Sequence, residues 1–440
     1  MLHQVIVPTR RFWALLGLGV LIALLGAVVP GLERILIPYN VLLFAMLLAT
    51  ARLTPKPQSL HVTRSMDPVL SVRVPNRVNV CVEYDGTAPI QCRVRDEPPP
   101  DFDTTRQELR LTLEPDRAKE FHYHVTPFRR GSDFWRGTYV RILAPLGLAE
   151  VQYKLPTERP VRVYPNVLAL REFDLLKQKG RLNLMGLRRT RIKGLGTEFE
   201  SLRDYHEDDY RKIDWKSTAR RGKLVVREFE QERNQAVIVC LDIGRHMLSE
   251  VDGVAKLDHA LDSCLMLMHA AQVAGDQVGL LVFADNVRRY IPPRKGRNQA
   301  GFILDAVHGL EAEAAAANYT AAFGYLASRW KRRSLIVVFT DAEDDAQAAE
   351  MAAALTPLTR RHLLMLVRVS DPRLKELAGA DVTDATDLYR KAAALWYSSD
   401  RRRADARFRM SGVQNIDSEP QDLSNALVSA YLRVKETSAL

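Results

Sequence analysis

Two apolar runs near the start of the chain constrain its fold more than any other feature: Phe12–Val29 and, after Pro30-Gly31, Ile35–Ala51. Each approaches the ~20 residues needed to cross ~30 Å of hydrocarbon as a helix. Between them only Glu33 and Arg34 are charged, whereas Arg10 and Arg11 precede the first run and Arg52, Lys56 and Arg64 follow the second. The positive-inside rule therefore puts both ends in the cytoplasm, joined by a tiny external loop. A cleaved signal peptide is disfavoured, because no small-residue cleavage site follows the first run and a second span comes almost at once. A re-entrant hairpin is the remaining alternative, since the second run is short and contains Pro38, Tyr39 and Asn40. Residues 1–57 thus read as an anchor of two transmembrane helices.

At 440 residues there is room for two or three domains, and 47% hydrophobic with 26% charged residues requires no large disordered fraction. Cys81, Cys92, Cys240 and Cys264 lack C-x-x-C spacing and give no zinc signal. Cys240 and Cys264 lie in apolar runs as buried thiols. Cys81 and Cys92 are spaced to face each other across a hairpin, where a cytosolic location argues against a disulfide. The net charge of +10 is concentrated in clusters such as Arg188–Lys193, Arg329–Arg333 and Arg401–Arg403. No nucleic-acid-binding motif accompanies them, so an anionic membrane surface is the better match and no nucleic acid is expected.

From residue 58 to 165 the pattern changes to period two. Arg77–Tyr84, Ile90–Arg95, Glu108–Leu113, Phe121–Val125 and Gly137–Leu143 alternate apolar and polar residues, with breaks at Asp85-Gly86, Pro98-Pro-Pro100 and Arg130-Gly131. That spacing predicts an all-β, immunoglobulin-like sandwich. His122 and His124 fall on one strand face, but no third ligand accompanies them. The domain reads as a spacer or interaction module.

Residues 235–440 alternate strands and helices. Strands are expected at Ala236–Leu241, Val278–Phe283, Leu335–Phe339 and Leu363–Val369, and helices at Lys256–Ala274, Gly301–Leu310, Thr320–Trp330 and Ala346–Thr356. The order predicts a mostly parallel, doubly wound α/β sheet, which binds ligands at the carboxyl ends of its strands. Asp242 and Asp341 fall there, and with Thr320 they form an oxygen set sufficient for Mg²⁺. The plainer alternative is that both carboxylates cap the helices that follow. The tail adds a helix over Thr386–Tyr397, a basic run at Arg401–Arg403, a strand around Gly412–Ile416 and an amphipathic helix near Leu423–Lys435.

This C-terminal region resembles the von Willebrand factor A-like fold. In that family the first strand ends in Asp-x-Ser-x-Ser, and later loops supply Thr and Asp to a metal. Here the motif reads Asp242-Ile-Gly-Arg-His246, so Gly244 and His246 replace both serines and the metal site is degenerate.

Between the two folded regions, residues 166–234 form a connector with a dense signature. Glu198, Arg203, Tyr205, Asp208, Asp209, Arg211, Asp214, Trp215, Lys216, Arg220, Arg227 and Glu228 interleave opposite charges with aromatic rings. Guanidinium groups clamp carboxylates bidentately and stack on aromatic faces, so an ion-paired joint is expected. The Ile213-Asp-Trp-Lys-Ser-Thr-Ala-Arg220 core and the overall organisation resemble a bacterial membrane-anchored family catalogued as domain of unknown function 58. That resemblance implies an adaptor or scaffold in the bacterial inner (cytoplasmic) membrane. It also implies partners: a MoxR-type AAA+ ATPase and a transglutaminase-like membrane protein. Enzyme motifs are missing. Gly194-Leu-Gly196 lacks a third glycine, and there is no Walker-type lysine, no Gly-x-Ser-x-Gly and no His-Glu-x-x-His. One enzymatic alternative stays open, a metal-dependent hydrolase using Glu207, Asp208, Asp209 and Asp214.

Overall fold

A computed structural model describes residues 4–26, 28–29, 31, 33–105, 108–165, 198–204, 213–230, 235–342 and 345–437. The chain divides into two compact units, Met1–Asn166 and Val167–Leu440.

The first unit opens with strand β1 (Gln4–Pro8) and helices α1 (Arg10–Gly26) and α2 (Glu33–Leu53). Next come β2 (Leu60–Met66), β3 (Val69–Ser71), β4 (Asn76–Tyr84), β5 (Ile90–Glu97), β6 (Phe102–Thr104) and β7 (Leu109–Leu113). The unit ends with β8 (Lys119–Pro127), β9 (Gly131–Trp135), β10 (Gly137–Leu143), β11 (Ala149–Leu155) and β12 (Arg159–Tyr164). One sheet runs β1-β11-β10-β5-β7, a second β2-β4-β8-β6, and a third β3-β12-β9. The period-two pattern explains the core: Val78, Val80 and Val82 of β4 pack in one cluster with Val94, Val140, Ile142 and Val151 of the first sheet. A buried polar knot also ties the two larger sheets. Asp96 on β5 accepts from Arg64 Nε (2.8 Å), Tyr123 Oη (2.5 Å) and Thr138 Oγ1 (2.9 Å).

Two expectations change here. Cys81 and Cys92 do not share a hairpin, because β4 and β5 belong to different sheets, and all four cysteines are free thiols. Burial pushes the Cys92 thiol up to about 12. The residues before the first apolar run are also more than a lead-in to the anchor. β1 pairs antiparallel with β11 from Gln4↔Tyr153 to Pro8↔Ala149, at the sheet edge where a proline is tolerated.

α1 and α2 pack against each other through Phe12 and Phe44, whose ring centroids lie 5.5 Å apart, and through Tyr39 Oη, which donates to the Leu15 carbonyl at 2.7 Å. Phe12, Leu43, Leu47 and Ala51 join the sandwich core. Two spans are expected from the sequence. Among the described residues, one helical segment, Arg34–Ser59, is long and apolar enough to cross a membrane, and α1 has 17 residues.

Among the described residues of the second unit, the first elements are β13 (Glu198–Asp204), α3 (Trp215–Arg221) and β14 (Val225–Glu230), where β13 and β14 pair antiparallel. Its main body is β15 (Ala236–Asp242), the short hairpin β16 (Glu250–Val251) and β17 (Val254–Ala255), α4 (Lys256–Val273), β18 (Gln277–Phe283) and β19 (Val287–Arg294). α5 (Arg297–Val307), α6 (Tyr319–Arg329), β20 (Leu335–Phe339), α7 (Asp345–Thr359) and β21 (Leu363–Val369) follow. The last elements are α8 (Pro372–Gly379), α9 (Ala385–Met410), β22 (Gln414–Ser418) and α10 (Pro420–Glu436). The sheet order is β19-β18-β15-β20-β21-β22, parallel except for β19.

β15 is buried at every position, as a strand covered on both faces must be. Its alternate residues feed two cores. Val237, Val239 and Leu241 pack with α4, α5 and α10, while Ile238 and Cys240 pack with α6, α7 and α9. The expected doubly wound sheet is therefore present. β19 lies outside the pattern read from the sequence, because Pro292, Pro293 and three arginines (Arg288, Arg289 and Arg294) conceal an edge strand. Helix α9 extends 13 residues past the expected end at Tyr397.

Candidate functional site

The chain leaves β15 toward β18 on one side, and β20 lies on the other side of β15. Such a reversal opens a crevice at the carboxyl ends of the two strands. Leu241 pairs with Phe339, so Asp242 and Asp341 end adjacent strands at this crevice. They are 0% and 1% exposed.

Asp242 is fully engaged by uncharged donors. The Gly244 N–H donates to Oδ1 at 2.7 Å, and Thr340 Oγ1 donates to Oδ2 at 2.5 Å. Burial raises the pKa of Asp242, the charge of Asp341 adds to the rise, and the two hydrogen bonds oppose it. Thr320, the hydroxyl expected from the sequence, is exposed on the first turn of α6. Its neighbour Tyr319 turns inward instead, with Oη 3.1 Å from Thr340 Oγ1. Thr340, directly before Asp341 in sequence, supplies the hydroxyl. The correction follows from helix phase: consecutive residues on a helix point about 100° apart, and the aromatic ring takes the buried direction.

Asp341 is held by charge. Lys256 Nζ lies 2.5 Å from Oδ2, and Arg401 Nη1 lies 3.2 Å from Oδ1. Arg401 also forks onto Asp417 at 2.8 and 2.9 Å and donates to the Val369 carbonyl at 3.2 Å. Burial would lower the pKa of Arg401, but Asp341 and Asp417 outweigh it and raise it. Neither cation was singled out as a site residue from the sequence. Arg401 lies in a basic run that matches an anionic membrane surface, and Lys256 opens a helix expected from its spacing. The one local signal is Lys256 itself, since a cation at a helix N-terminus opposes the macrodipole and calls for a tertiary reason.

Among the described residues, the donor set does not fit a hard divalent cation. Both oxygens of Asp242 accept from N–H or O–H groups, and both oxygens of Asp341 face nitrogen cations. Gly244 offers no oxygen side chain. His246 Nε2 lies 3.0 Å from Gln347 Nε2. Among the described residues no group of three or more His, Cys, Asp and Glu is placed to hold a metal. His122 and His124, with ring centroids 6.2 Å apart, gain no third partner of that kind.

The signature residues divide into three groups. Tyr205, Glu207, Asp208, Asp209 and Arg211 lie outside the described residues. Glu198, Arg203, Arg227 and Glu228 are placed by the β13–β14 ladder, in which Arg203 pairs with Val226 and Ser201 with Glu228. Asp214, Trp215, Lys216 and Arg220 build α3. Asp214 is the N-cap, accepting from the Lys216 and Ser217 N–H groups at 3.0 and 3.1 Å. Capping of this kind uses a short side chain's affinity for unpaired helix donors. Trp215 is 65% exposed.

An apolar surface adjoins the strand ends. Leu377, Leu388, Leu395 and Trp396 of α8 and α9 are 37–66% exposed. Beside Lys256 a cleft of about 490 Å³ is lined by Leu374, Leu377, Ala394, Trp396 and Tyr397.

These features define a class: a multidomain protein with an apolar N-terminal helix, β-sheets and a C-terminal α/β region. Within it, residues 201–412 match the family described as "Protein of unknown function DUF58". The chain therefore carries a DUF58 family domain. It is similar in structure to the conserved hypothetical protein BatB from Bacteroides thetaiotaomicron. The TM-score is 0.31 and the identity 16%, covering 46% of this chain and 99% of that one. It is also similar to an aerotolerance-related membrane protein from Bacteroides fragilis NCTC 9343. There the TM-score is 0.30 and the identity 17%, covering 47% and 100% of the two chains. No curated protein matches the sequence.

Proposed function

We propose that this protein is an adaptor anchored in the bacterial inner membrane, whose von Willebrand A-like α/β unit recruits a protein partner on the cytoplasmic side. The observation that carries the recruiting role is the exposed Trp396–Leu377 surface beside the strand-end crevice, because contiguous exposed apolar area on a soluble domain marks an interaction site. The partner implied by the family resemblance is a MoxR-type AAA+ ATPase, with a transglutaminase-like membrane protein as a second component.

The anchor is proposed to cross the membrane twice. β1 precedes α1 and β2 follows α2, yet both strands belong to one compact sandwich unit. A chain that enters and leaves its helices from the same water-soluble domain crosses an even number of times. Packing of α1 on α2 supports a paired span, and the arginines flanking the runs support a cytoplasmic sandwich.

Affinity capture of the full-length protein from native membranes tests recruitment, with the ATPase identified by its own peptide sequence. Wild type should retain it, and the Leu377→Ser/Trp396→Ser variant should lose it. Equal retention by both refutes the surface assignment. Impermeant thiol labelling tests topology: Gly31→Cys should react from outside intact cells and Arg117→Cys only after permeabilisation. Reaction of both from the same side refutes the paired span.

A further inference from the structure

We propose that Lys256 Nζ is the resident cation of the strand-end crevice, with Arg401 as its second, so that this head is closed by its own side chains and needs no divalent ion. Two adjacent buried carboxylates require compensating charge. Here Lys256 and Arg401 approach Asp341 from two different elements, the start of α4 and the middle of α9.

Three further observations point the same way. Lys256 is 6% exposed at the first position of a helix whose N-cap, Ala255, supplies no side-chain acceptor. Burial and the helix dipole both oppose an ammonium there, and Asp341 is the group on hand to offset them. Next, the crevice has no room for the hydroxyl ligand that the resemblance expects at position 244. A Cβ on Gly244 would lie 2.9 Å from the Ala315 carbonyl oxygen and 3.0 Å from Asp242 Oδ1. The Arg245 N–H donates to that same Ala315 carbonyl at 2.8 Å, holding the loop before α6 in that space. Last, Arg401 is anchored on its far side by Asp417, which keeps the guanidinium over Asp341.

Lys256 also lines the apolar cleft at α8 and α9. The crevice therefore presents the Lys256 side chain to that cleft, where a metal-bearing head would present an ion with open coordination positions. This inference concerns the site's cation alone, and its test reads metal and stability instead of partner capture, so it stands or falls apart from the adaptor reading.

The experiment uses full-length protein in detergent, melted with chelator and with millimolar Mg²⁺ or Mn²⁺, alongside calorimetric titration with Mn²⁺. Wild type and Lys256→Arg should melt identically in both conditions and bind no Mn²⁺ saturably. Lys256→Met should melt roughly 10 °C lower in chelator and recover part of that loss with Mn²⁺. Saturable Mn²⁺ binding to wild type that disappears in Asp341→Asn overturns the proposal. An unchanged melting temperature for Lys256→Met does so as well. If Lys256→Met does not fold, Lys256→Met/Asp341→Asn decides: a folded variant indifferent to Mn²⁺ supports the charge account, and one that folds only with Mn²⁺, or not at all, refutes it.

Discussion

Replacing Lys435 with methionine should loosen the last helix of the α/β unit without disturbing the crevice at the opposite ends of the strands. Asp276, immediately before β18, has a fully buried side chain. It accepts from Lys435 Nζ at 2.8 Å on both oxygens, from Tyr431 Oη at 2.5 Å and from the Gln235 N–H at 3.2 Å. Removing one partner of a buried ion pair costs about 3–5 kcal/mol, because the remaining charge is left uncompensated. Tyr431 and Gln235 still donate to Asp276, and methionine keeps most of the lysine stem's packing, so the lower end, ~3 kcal/mol, is expected. At ~1.4 kcal/mol per tenfold, opening of α10 should become roughly a hundredfold more frequent. Hydrogen exchange followed by mass spectrometry on the full-length protein reads this directly. α10 peptides should exchange about a hundredfold faster, while β10 and β11 of the first unit stay unchanged. The Asp276→Asn/Lys435→Met variant should recover most of the protection, since a neutral amide can still accept from Tyr431. Unchanged exchange in α10, or a double variant worse than the single one, would refute the charge-compensation reasoning.

In the sandwich, Asp96→Ala removes the acceptor shared by Arg64, Tyr123 and Thr138 and should cost about 3–5 kcal/mol, seen as a lower transition in scanning calorimetry. Gly279→Ala should destabilise the β18–β19 edge by about 1–3 kcal/mol, measured as faster exchange in β19. Its Cβ would lie 2.8 Å from the Pro293 ring carbons and 2.9 Å from the Pro293 nitrogen. Asp242→Asn carries a pH signature. Burial raises the folded-state pKa of Asp242, so the folded chain holds this proton more tightly than the unfolded one. Wild type therefore loses stability as pH rises from the unfolded value of ~3.9 through the raised folded value. Melting temperatures should show Asn gaining on wild type across that rise, and a difference that stays constant with pH would contradict the burial account.

Much of the α/β unit was legible because its strands are buried on both faces. Leu335–Phe339 is a continuous apolar run and Leu363–Val369 an apolar run interrupted only by Arg368, both with the observed bounds, and Asp242 and Asp341 follow from where the apolar strands stop. β19 was hidden because an edge strand need not be apolar and here contains two prolines. In the sandwich, alternation revealed β4, β5 and β10. It did not reveal β1, five residues whose pairing partner lies more than 140 positions away, at Ala149–Tyr153.

The sequence by itself determined an apolar helical start, a period-two β region, a doubly wound sheet and two carboxylates at its strand ends. Periodicity and burial are local properties, so a linear reading captures them. Only the tertiary structure decided what those carboxylates meet. Lys256, Thr340 and Arg401 converge on them from three elements across 145 residues of chain, counting from Lys256 to Arg401. Whether a lysine is surface charge or the counter-ion of a buried aspartate depends on that convergence, and on the desolvation that makes the pairing obligatory.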